Sequence, residues 1–205
     1  MHLTKFLLFV FLSLFTTSFY AQSDCKDAIV VCGNSSFKGL IANGYGEIID
    51  YTGGCGSTEY NSIWLKLSIK KGGTLGFIIK PESSDINEDF DFHIFGPNAN
   101  CNSLGEPIRC STTNPLAANL SSNHTGMTNS HFEKFEGPAS DGVGFVEWLK
   151  VKDAESYFLV ITRPIGNSNF SITWTGSATF DDPPIINLPE SNTLDFIKSD
   201  FIGLP

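Results

Sequence analysis

The sequence has few of the residue patterns that mark the common enzyme and metal-binding classes. It contains four histidines, no C-x-x-C pair and no H-E-x-x-H helix motif, which argues against a zinc site. G-x-S-x-G, the motif that marks the nucleophile of many serine hydrolases, is also missing. No stretch has the 3.6-residue apolar period of a convincing helix. These absences disfavour zinc chemistry, serine hydrolysis and a helical fold.

Basic residues are scarce as well. The 205 residues include 13 Lys and Arg against 22 Asp and Glu, a formal charge of −9. No cluster interleaves Lys or Arg with aromatic residues, and an acidic surface repels phosphate backbones and anionic lipid. We therefore predict that the chain does not bind nucleic acid and that its acidity serves mainly solubility.

The first 22 residues have the organisation of a secretory signal peptide. Lys5 precedes an apolar run, Phe6–Phe15, and small or polar residues follow up to Ala21. The run is shorter than the roughly 20 apolar residues that span a bilayer. We expect residues 1–22 to be removed, leaving no transmembrane segment and a protein that is secreted or held at the cell surface. Loss of Lys5 leaves 12 basic against 22 acidic residues, a formal charge of −10.

Five cysteines follow the signal, and secretion exposes them to oxidation, so disulfides are expected. The pair nearest in sequence is Cys101 with Cys110, and Cys32 with Cys55 would then form a second bridge. Cys25 is left over. Pairing of Cys25 with Cys32, a free thiol and a bridge to another chain all stay open.

The rest of the chain is dominated by strand patterns. In SIWLKLSIK, Ile63, Leu65 and Leu67 alternate with polar or aromatic residues, the period of two that is typical of a half-buried strand. Strands are predicted in seven segments: 45–51, 62–70, 74–80, 89–95, 143–151, 156–163 and 168–176.

Turn residues separate these segments, as in an all-β domain. We predict a two-sheet antiparallel β-sandwich, jelly-roll-like and with long loops, over residues 23–179. Residues 111–142 are predicted to form a long polar loop. Residues 180–205, rich in proline, are interpreted as a linker toward a missing downstream region.

The stretch DINEDFDFHIFG, residues 85–96, combines acids with an alternating strand. A helix-loop-helix calcium site fails, because Phe90 occupies the position of the turn glycine and Gly96 that of the bidentate glutamate. On a strand, Asp89 and Asp91 share one face, with Asp85 in the loop before them. Two interpretations stay open: a solvated face, or a calcium site formed by Asp85, Asp89 and Asp91.

Other side chains were weighed for catalysis and ligand binding. Asp91 and Glu147 lie on different predicted strands, but nothing singles them out as a catalytic pair, so no catalytic residue is assigned and the protein is predicted not to be an enzyme. Trp64 and Trp148 fall on the non-core side of their strands. If these two tryptophans are exposed on the sheet face, they would stack on sugar rings, as in carbohydrate-binding modules. If they are not exposed, they cover a hydrophobic patch or pack under a loop.

Five stretches follow one another between Asp24 and Gly176: DCKDAIVVC, EYNSIWLKLSIKKGGTLGFIIKP, DINEDFDFHIFGP, IRCSTTNP and RPIGNSNFSITWTG. In this order they resemble the amino-terminal module of large surface proteins of gliding and related bacteria, which the type IX system exports. More remotely, the chain resembles the pre-peptidase carboxy-terminal domain, a β-sandwich that accompanies secreted proteases. The resemblance implies an accessory or adhesive module with a possible calcium site and no catalytic residues.

The sequence therefore predicts a secreted, non-enzymatic accessory or adhesion module at the amino terminus of a larger cell-surface protein. Its partner is expected to be a cell-surface or extracellular ligand such as a polysaccharide, with no cofactor unless calcium binds. The alternative is a carbohydrate-binding module that acts through Trp64 or Trp148.

Overall fold

The fold was analysed in a computed structural model that describes residues 22–52 and 54–183. Nearly all of the predicted signal peptide, and the predicted linker beyond residue 183, lie outside the described residues. In the part of the chain that the structure describes, no helix has the length and apolar character needed to cross a bilayer. A single 3-10 turn, Cys25–Asp27, is the helical element of this part, and the remainder is strand and loop.

In the described residues, thirteen strands form two sheets. The seven-stranded sheet has the order β1-β3-β11-β5-β6-β8, and β13 also pairs with β3. Its strands are β1 (Ile29–Val31), β3 (Ser62–Lys71), β5 (Asp89–Phe95), β6 (Arg109–Thr113), β8 (Phe135–Ala139), β11 (Ser156–Ile165) and β13 (Thr179–Phe180). The six-stranded sheet has the order β2-β12-β4-β7-β9, and β10 also pairs with β4. Its strands are β2 (Phe37–Leu40), β4 (Gly73–Pro81), β7 (Thr125–Thr128), β9 (Phe145–Glu147), β10 (Leu149–Val151) and β12 (Phe170–Gly176).

The main core lies between the two sheets and follows the predicted alternation. Ile63, Leu65 and Leu67 of β3 point inward, as do Phe77 of β4 and Phe92 of β5. The rings of Phe77 and Phe92 meet edge to face with their centroids 5.0 Å apart. Burial of such side chains contributes roughly 1.5–3 kcal/mol each, so this layer is the main source of stability. The predicted all-β sandwich is confirmed.

The sheets are mixed rather than purely antiparallel. Parallel pairing joins β1 to β3, β6 to β8, and β7 to β9, while the other pairs are antiparallel. Each parallel pair is made by a short strand of three to five residues, too weak in pattern to be recognised in the sequence. For the same reason, the segment predicted as a loop at 111–142 contains β7 and β8. Residues 143–151 form two short strands instead of one.

Residues 41–52 and 54–61 form no strand, so the strand predicted at 45–51 is wrong. Instead, this stretch, which we call the covering segment, crosses the outer face of the seven-stranded sheet. Beneath it lies a second apolar cluster, which includes Tyr51 of the covering segment with Trp64, Phe95 and Phe158 of the sheet. Strand β5 is thus covered on both faces of the sheet, which explains why each of its residues is buried.

The cysteine pairing also differs from the prediction. Cys25 is bonded to Cys101, and Cys55 is bonded to Cys110, with Cα separations of 5.6 and 6.3 Å. Cys32 is free. The predicted pairs Cys101–Cys110 and Cys32–Cys55 are wrong, because Cys110 points from β6 toward the covering segment while Cys101 lies in the loop after β5. Disulfides of this kind are typical of oxidising compartments outside the cytosol.

Candidate functional site

The outer face of β5 carries three ionisable side chains in a row. Asp89, Asp91 and His93 alternate with inward-facing phenylalanines, as the sequence predicted. The covering segment packs over Asp91 and His93, and Asn114 contacts Asp89. Asp89 is 4% exposed, Asp91 3% and His93 0%. The interpretation of Asp89 and Asp91 as a solvated face is therefore wrong.

His93 is held in one tautomer by two contacts with the covering segment. Its Nε2 lies 3.2 Å from the carbonyl oxygen of Gly54, so Nε2 carries the proton and donates it. Its Nδ1 lies 3.2 Å from the hydroxyl oxygen of Tyr51 and accepts a hydrogen bond from that hydroxyl. Burial lowers the pKa of His93 to about 4, so the ring is neutral at physiological pH.

The two aspartates beside His93 are poorly compensated. The Asp89 carboxylate accepts one hydrogen bond, 2.8 Å long, from the side-chain amide of Asn114. Burial raises the pKa of Asp89 to about 6. Burial, and secondarily the charge of Asp89, raises the pKa of Asp91 well above its ordinary value, and a hydrogen bond from Ser57 opposes that rise. Isolated buried carboxylates are costly, so something must neutralise this pair.

Asp85 does not join the other two acids. It is exposed in the loop before β5, and its Oδ1 accepts bonds from the backbone and side-chain amides of Asn87, 3.0 and 2.9 Å long. These bonds lower the pKa of Asp85. Across residues 22–52 and 54–183, no group of three or more His, Cys, Asp or Glu side chains is placed to hold a metal ion. Calcium binding by Asp85, Asp89 and Asp91 together therefore receives no support from their placement.

Trp64 is fully buried and is not available to a sugar. It does lie on the face opposite the main core, as the alternation predicts, but the covering segment covers that face. Its Nε1 donates a 2.6 Å bond to Glu59, which also accepts from the hydroxyl of Ser62 and the backbone amide of Asp50. The prediction of Trp64 as an exposed ligand-binding residue is wrong. Trp148 is half-buried between β9 and β10, and its role in binding stays a prediction.

The covering segment displays a concentration of exposed apolar side chains. Of the eleven large hydrophobic residues that are exposed in the described chain, five lie in it: Ile41, Tyr45, Ile48, Ile49 and Tyr60. The rings of Tyr45 and Tyr60 pack edge to face with centroids 4.9 Å apart. Exposed apolar groups that are concentrated in one region often mark a binding surface. We call this set the apolar display surface.

The display surface is held in place from below. The carboxylate of buried Asp24 accepts bonds of 2.9–3.2 Å from the backbone amides of Glu47 and Ile48. The backbone amide of Cys25 donates a 2.6 Å bond to Asp50. With the Cys55–Cys110 bridge, these contacts fix the segment at several points between residues 47 and 55, although its described residues contain no regular secondary structure.

Sequence reasoning missed the residues that anchor this segment. Glu59, Tyr51 and Asp24 drew no attention, since a buried polar residue in an irregular segment has no periodic pattern. One usable signal was present: Glu59, Ser62 and Trp64 lie within six residues at the start of the strongest strand, where a buried tryptophan needs an acceptor for its N–H.

Comparisons with known proteins give little further information. No known protein family and no curated protein matches the chain. A solved structure, the periplasmic lysozyme inhibitor PliG of Aeromonas hydrophila, which inhibits g-type lysozyme, is similar over 73% of this chain and 96% of its own, with 12% identity and a TM-score of 0.35. Likeness at this level transfers neither the fold nor the function of the neighbour to this chain.

Proposed function

We propose that the chain is a secreted, non-enzymatic adhesion or accessory module at the amino terminus of a larger cell-surface protein of the gliding-motility-associated type. The apolar display surface on the covering segment is its ligand-binding surface. The observation that carries the proposal is that this segment has exposed apolar side chains on a backbone that is held in place. Ile48 and Ile49 are 56% and 62% exposed, yet the backbone beneath them is bonded to Asp24 and the segment is tied to β6 by a disulfide.

Several physical arguments support a binding role for such a segment. Irregular segments on rigid scaffolds frequently carry binding residues. A segment that is already ordered also loses little conformational entropy when it binds, which favours affinity. The paired rings of Tyr45 and Tyr60 add large, amphipathic contact area, and tyrosine is enriched at protein interfaces.

A non-enzymatic role agrees with the state of the ionisable groups. Asp89, Asp91 and His93 are sealed beneath the covering segment, where a substrate would not reach them without displacement of the segment. The signal-peptide pattern and the two disulfides support secretion. The resemblance of the stretches between Asp24 and Gly176 to surface modules of gliding bacteria supports the assignment to a larger protein.

Surface plasmon resonance tests the binding role. The purified secreted chain is passed over immobilised extracellular proteins and bacterial polysaccharides, and we expect binding in at least one channel. The triple variant Tyr45→Ser/Ile48→Ser/Ile49→Ser should weaken that binding at least tenfold. Phe132→Ser, which removes an even more exposed side chain outside the segment, is the matched control and should bind normally.

Circular dichroism of each variant establishes that the fold is kept. Binding that survives the triple variant but is lost in Trp148→Ala would contradict the proposal and favour the carbohydrate-binding alternative. Absence of binding in every channel would count against an adhesive role.

A further inference from the structure

Three buried oxygen atoms beneath the covering segment have no hydrogen-bond partner. They are Oδ1 of Asp89, Oδ1 of Asp91 and Oγ1 of Thr162. Thr162 is fully buried, and the two aspartates are nearly so. More than nine-tenths of buried polar groups in folded proteins have a partner, so each exception needs an explanation, such as a bound water or ion.

The three oxygens belong to one site rather than to separate parts of the molecule. Thr162 of β11 lies directly opposite Asp91 of β5 in the antiparallel ladder, so their side chains are on the same face. Asp89 is two residues from Asp91 and shares that face. The hydroxyl of Tyr51 completes the surroundings. Burial, and then the charges of Glu59 and Asp91, raise the pKa of Tyr51, and the nearby hydroxyl of Thr162 opposes that rise.

Among residues 22–52 and 54–183, no Lys or Arg side chain forms a salt bridge with this site. The three ion pairs of the described residues join Lys26 to Glu47, Lys70 to Asp182 and Arg109 to Glu147, and none includes Asp89 or Asp91. His93 is the nearest basic residue along β5, but its two ring nitrogens are used by Gly54 and Tyr51 in the neutral form. The site therefore combines two carboxylates with the hydroxyl of Thr162, and no salt bridge of the described residues reaches it.

We propose that Asp89, Asp91 and Thr162 bind a divalent metal cation of the hard, oxygen-preferring class, with calcium as its representative. All three donors are oxygen, and carboxylates with hydroxyl and water oxygens are the ligands that such cations prefer. Two negative charges favour a divalent over a monovalent ion. Calcium takes six to eight oxygen ligands, so water or further oxygens of the covering segment complete the shell.

This ligand set differs from the one that the sequence predicts. Asp85 is replaced by Thr162, which the ladder brings opposite Asp91 although the two residues are 71 positions apart in the sequence. The inference is independent of the proposed binding function, because the display surface and the cation site use different residues. A bound cation would still affect this part of the molecule, because it would neutralise the charges of Asp89 and Asp91 next to the covering segment.

Calcium titration of the full secreted chain tests the proposal. The chain is stripped with a chelator and kept at pH 8, where protons compete least for the carboxylates. We expect calorimetry to report one calcium ion per chain, and millimolar calcium to raise the unfolding midpoint by several degrees. Magnesium, which requires a smaller octahedral site, should have a weaker effect.

Three variants locate the site. Thr162→Val keeps the shape and removes the hydroxyl, and Asp89→Asn removes one charge, so each should weaken calcium binding at least tenfold while circular dichroism stays unchanged. Asp85→Asn is the matched control and should bind calcium as the parent chain does.

Two outcomes would overturn the proposal. One is no heat and no midpoint shift with calcium at pH 8, while acidification alone stabilises the chain, because protons would then neutralise the pair. The other is calcium binding that Asp85→Asn abolishes and Thr162→Val leaves intact, which would place the ion in the exposed loop.

Discussion

At the scale of single residues, the buried acids and His93 respond to pH in opposite directions. The pKa of Asp89 is raised to about 6 from its ordinary 3.8, so without a cation its burial costs nothing below pH 3.8 and costs stability as the pH rises through 6. The pKa of His93 is lowered to about 4 from 6.5, so its burial costs stability as the pH falls from 6.5 to 4. The two effects partly cancel between pH 4 and 6.

We expect Asp89→Asn to separate these effects in chelator-treated protein. At pH 7.5 the variant should be more stable than the parent chain by on the order of 2–3 kcal/mol, since a shift of about two pKa units is worth roughly that much. At pH 4 the two proteins should be nearly equal. Urea unfolding at both pH values measures the difference, and a variant that is destabilised equally at both would show that the carboxyl is needed for its bond to Asn114.

Glu59 provides a second prediction at this scale. Glu59→Leu should destabilise the protein by about 3–5 kcal/mol, because the indole N–H of Trp64 and the backbone amide of Asp50 would be left without an acceptor. The emission of Trp64 should change as the covering segment loosens. Fluorescence-monitored urea unfolding checks both effects. Glu106→Leu, at an exposed position, is the control and should change stability little.

At the scale of single elements, β7 depends on the absence of a side chain at Gly126. A Cβ at this position would lie 2.1 Å from the carbonyl oxygen of Phe77, in the neighbouring strand β4, and the residue has φ +155°. We expect Gly126→Ala to separate β7 from β4 and to lower stability by several kcal/mol. Gly105→Ala, which also has positive φ but nothing within 4 Å, is the control and should cost about 1 kcal/mol. Similar thermal midpoints for both variants would contradict this assignment.

The covering segment depends on its disulfide. Removing the Cys55–Cys110 bridge with a double serine variant should cost roughly 4 kcal/mol, the loop-closure value for a separation of 55 residues. Amide exchange should then rise first in the covering segment, while β3 and β11 stay protected. Cys32→Ser, at a cysteine that forms no bridge, should leave both stability and exchange unchanged. Uniform loss of protection across the sheets would contradict a local role for the bridge.

At the scale of the whole molecule, the two apolar clusters share the same strands. Trp64 and Leu65 are neighbours on β3 but belong to different clusters, and Phe95 and Ile94 of β5 do likewise. The clusters therefore cannot melt separately. We expect differential scanning calorimetry to show one transition with equal calorimetric and van't Hoff enthalpies. Two resolved transitions would show that the covering segment unfolds independently.

The limits of sequence reasoning are clear at this scale. Period-two alternation predicted β3, β5 and β12 closely, because each is long and packs one face on the main core. It failed for the second face of the seven-stranded sheet, since nothing in the pattern of Trp64 or His93 indicates that an irregular segment covers them. The disulfides failed for the same reason, because Cys55 meets Cys110 only through that segment. The sequence predicted that Asp89 and Asp91 lie on the same face of β5. That Thr162 lies opposite Asp91 follows only from the pairing of β11 with β5, which the sequence does not reveal.

In the covering segment, exposed side chains can change without loss of the contacts that hold the segment on the sheet. Residues 43–49 lie outside the hydrogen-bond ladders of both sheets, and their side chains project outward from an attachment made through backbone amides. Amides are common to all residues except proline, so the exposed side chains at 45 and 47–49 are scarcely constrained by these bonds. Gly46 is constrained, because its φ is +69° and a Cβ there would lie 2.0 Å from Oδ1 of Asp24. Natural lineages of this protein could therefore diversify their recognition by point substitution at 45 and 47–49, and a foreign peptide grafted between Ala42 and Asp50 must keep the glycine at 46.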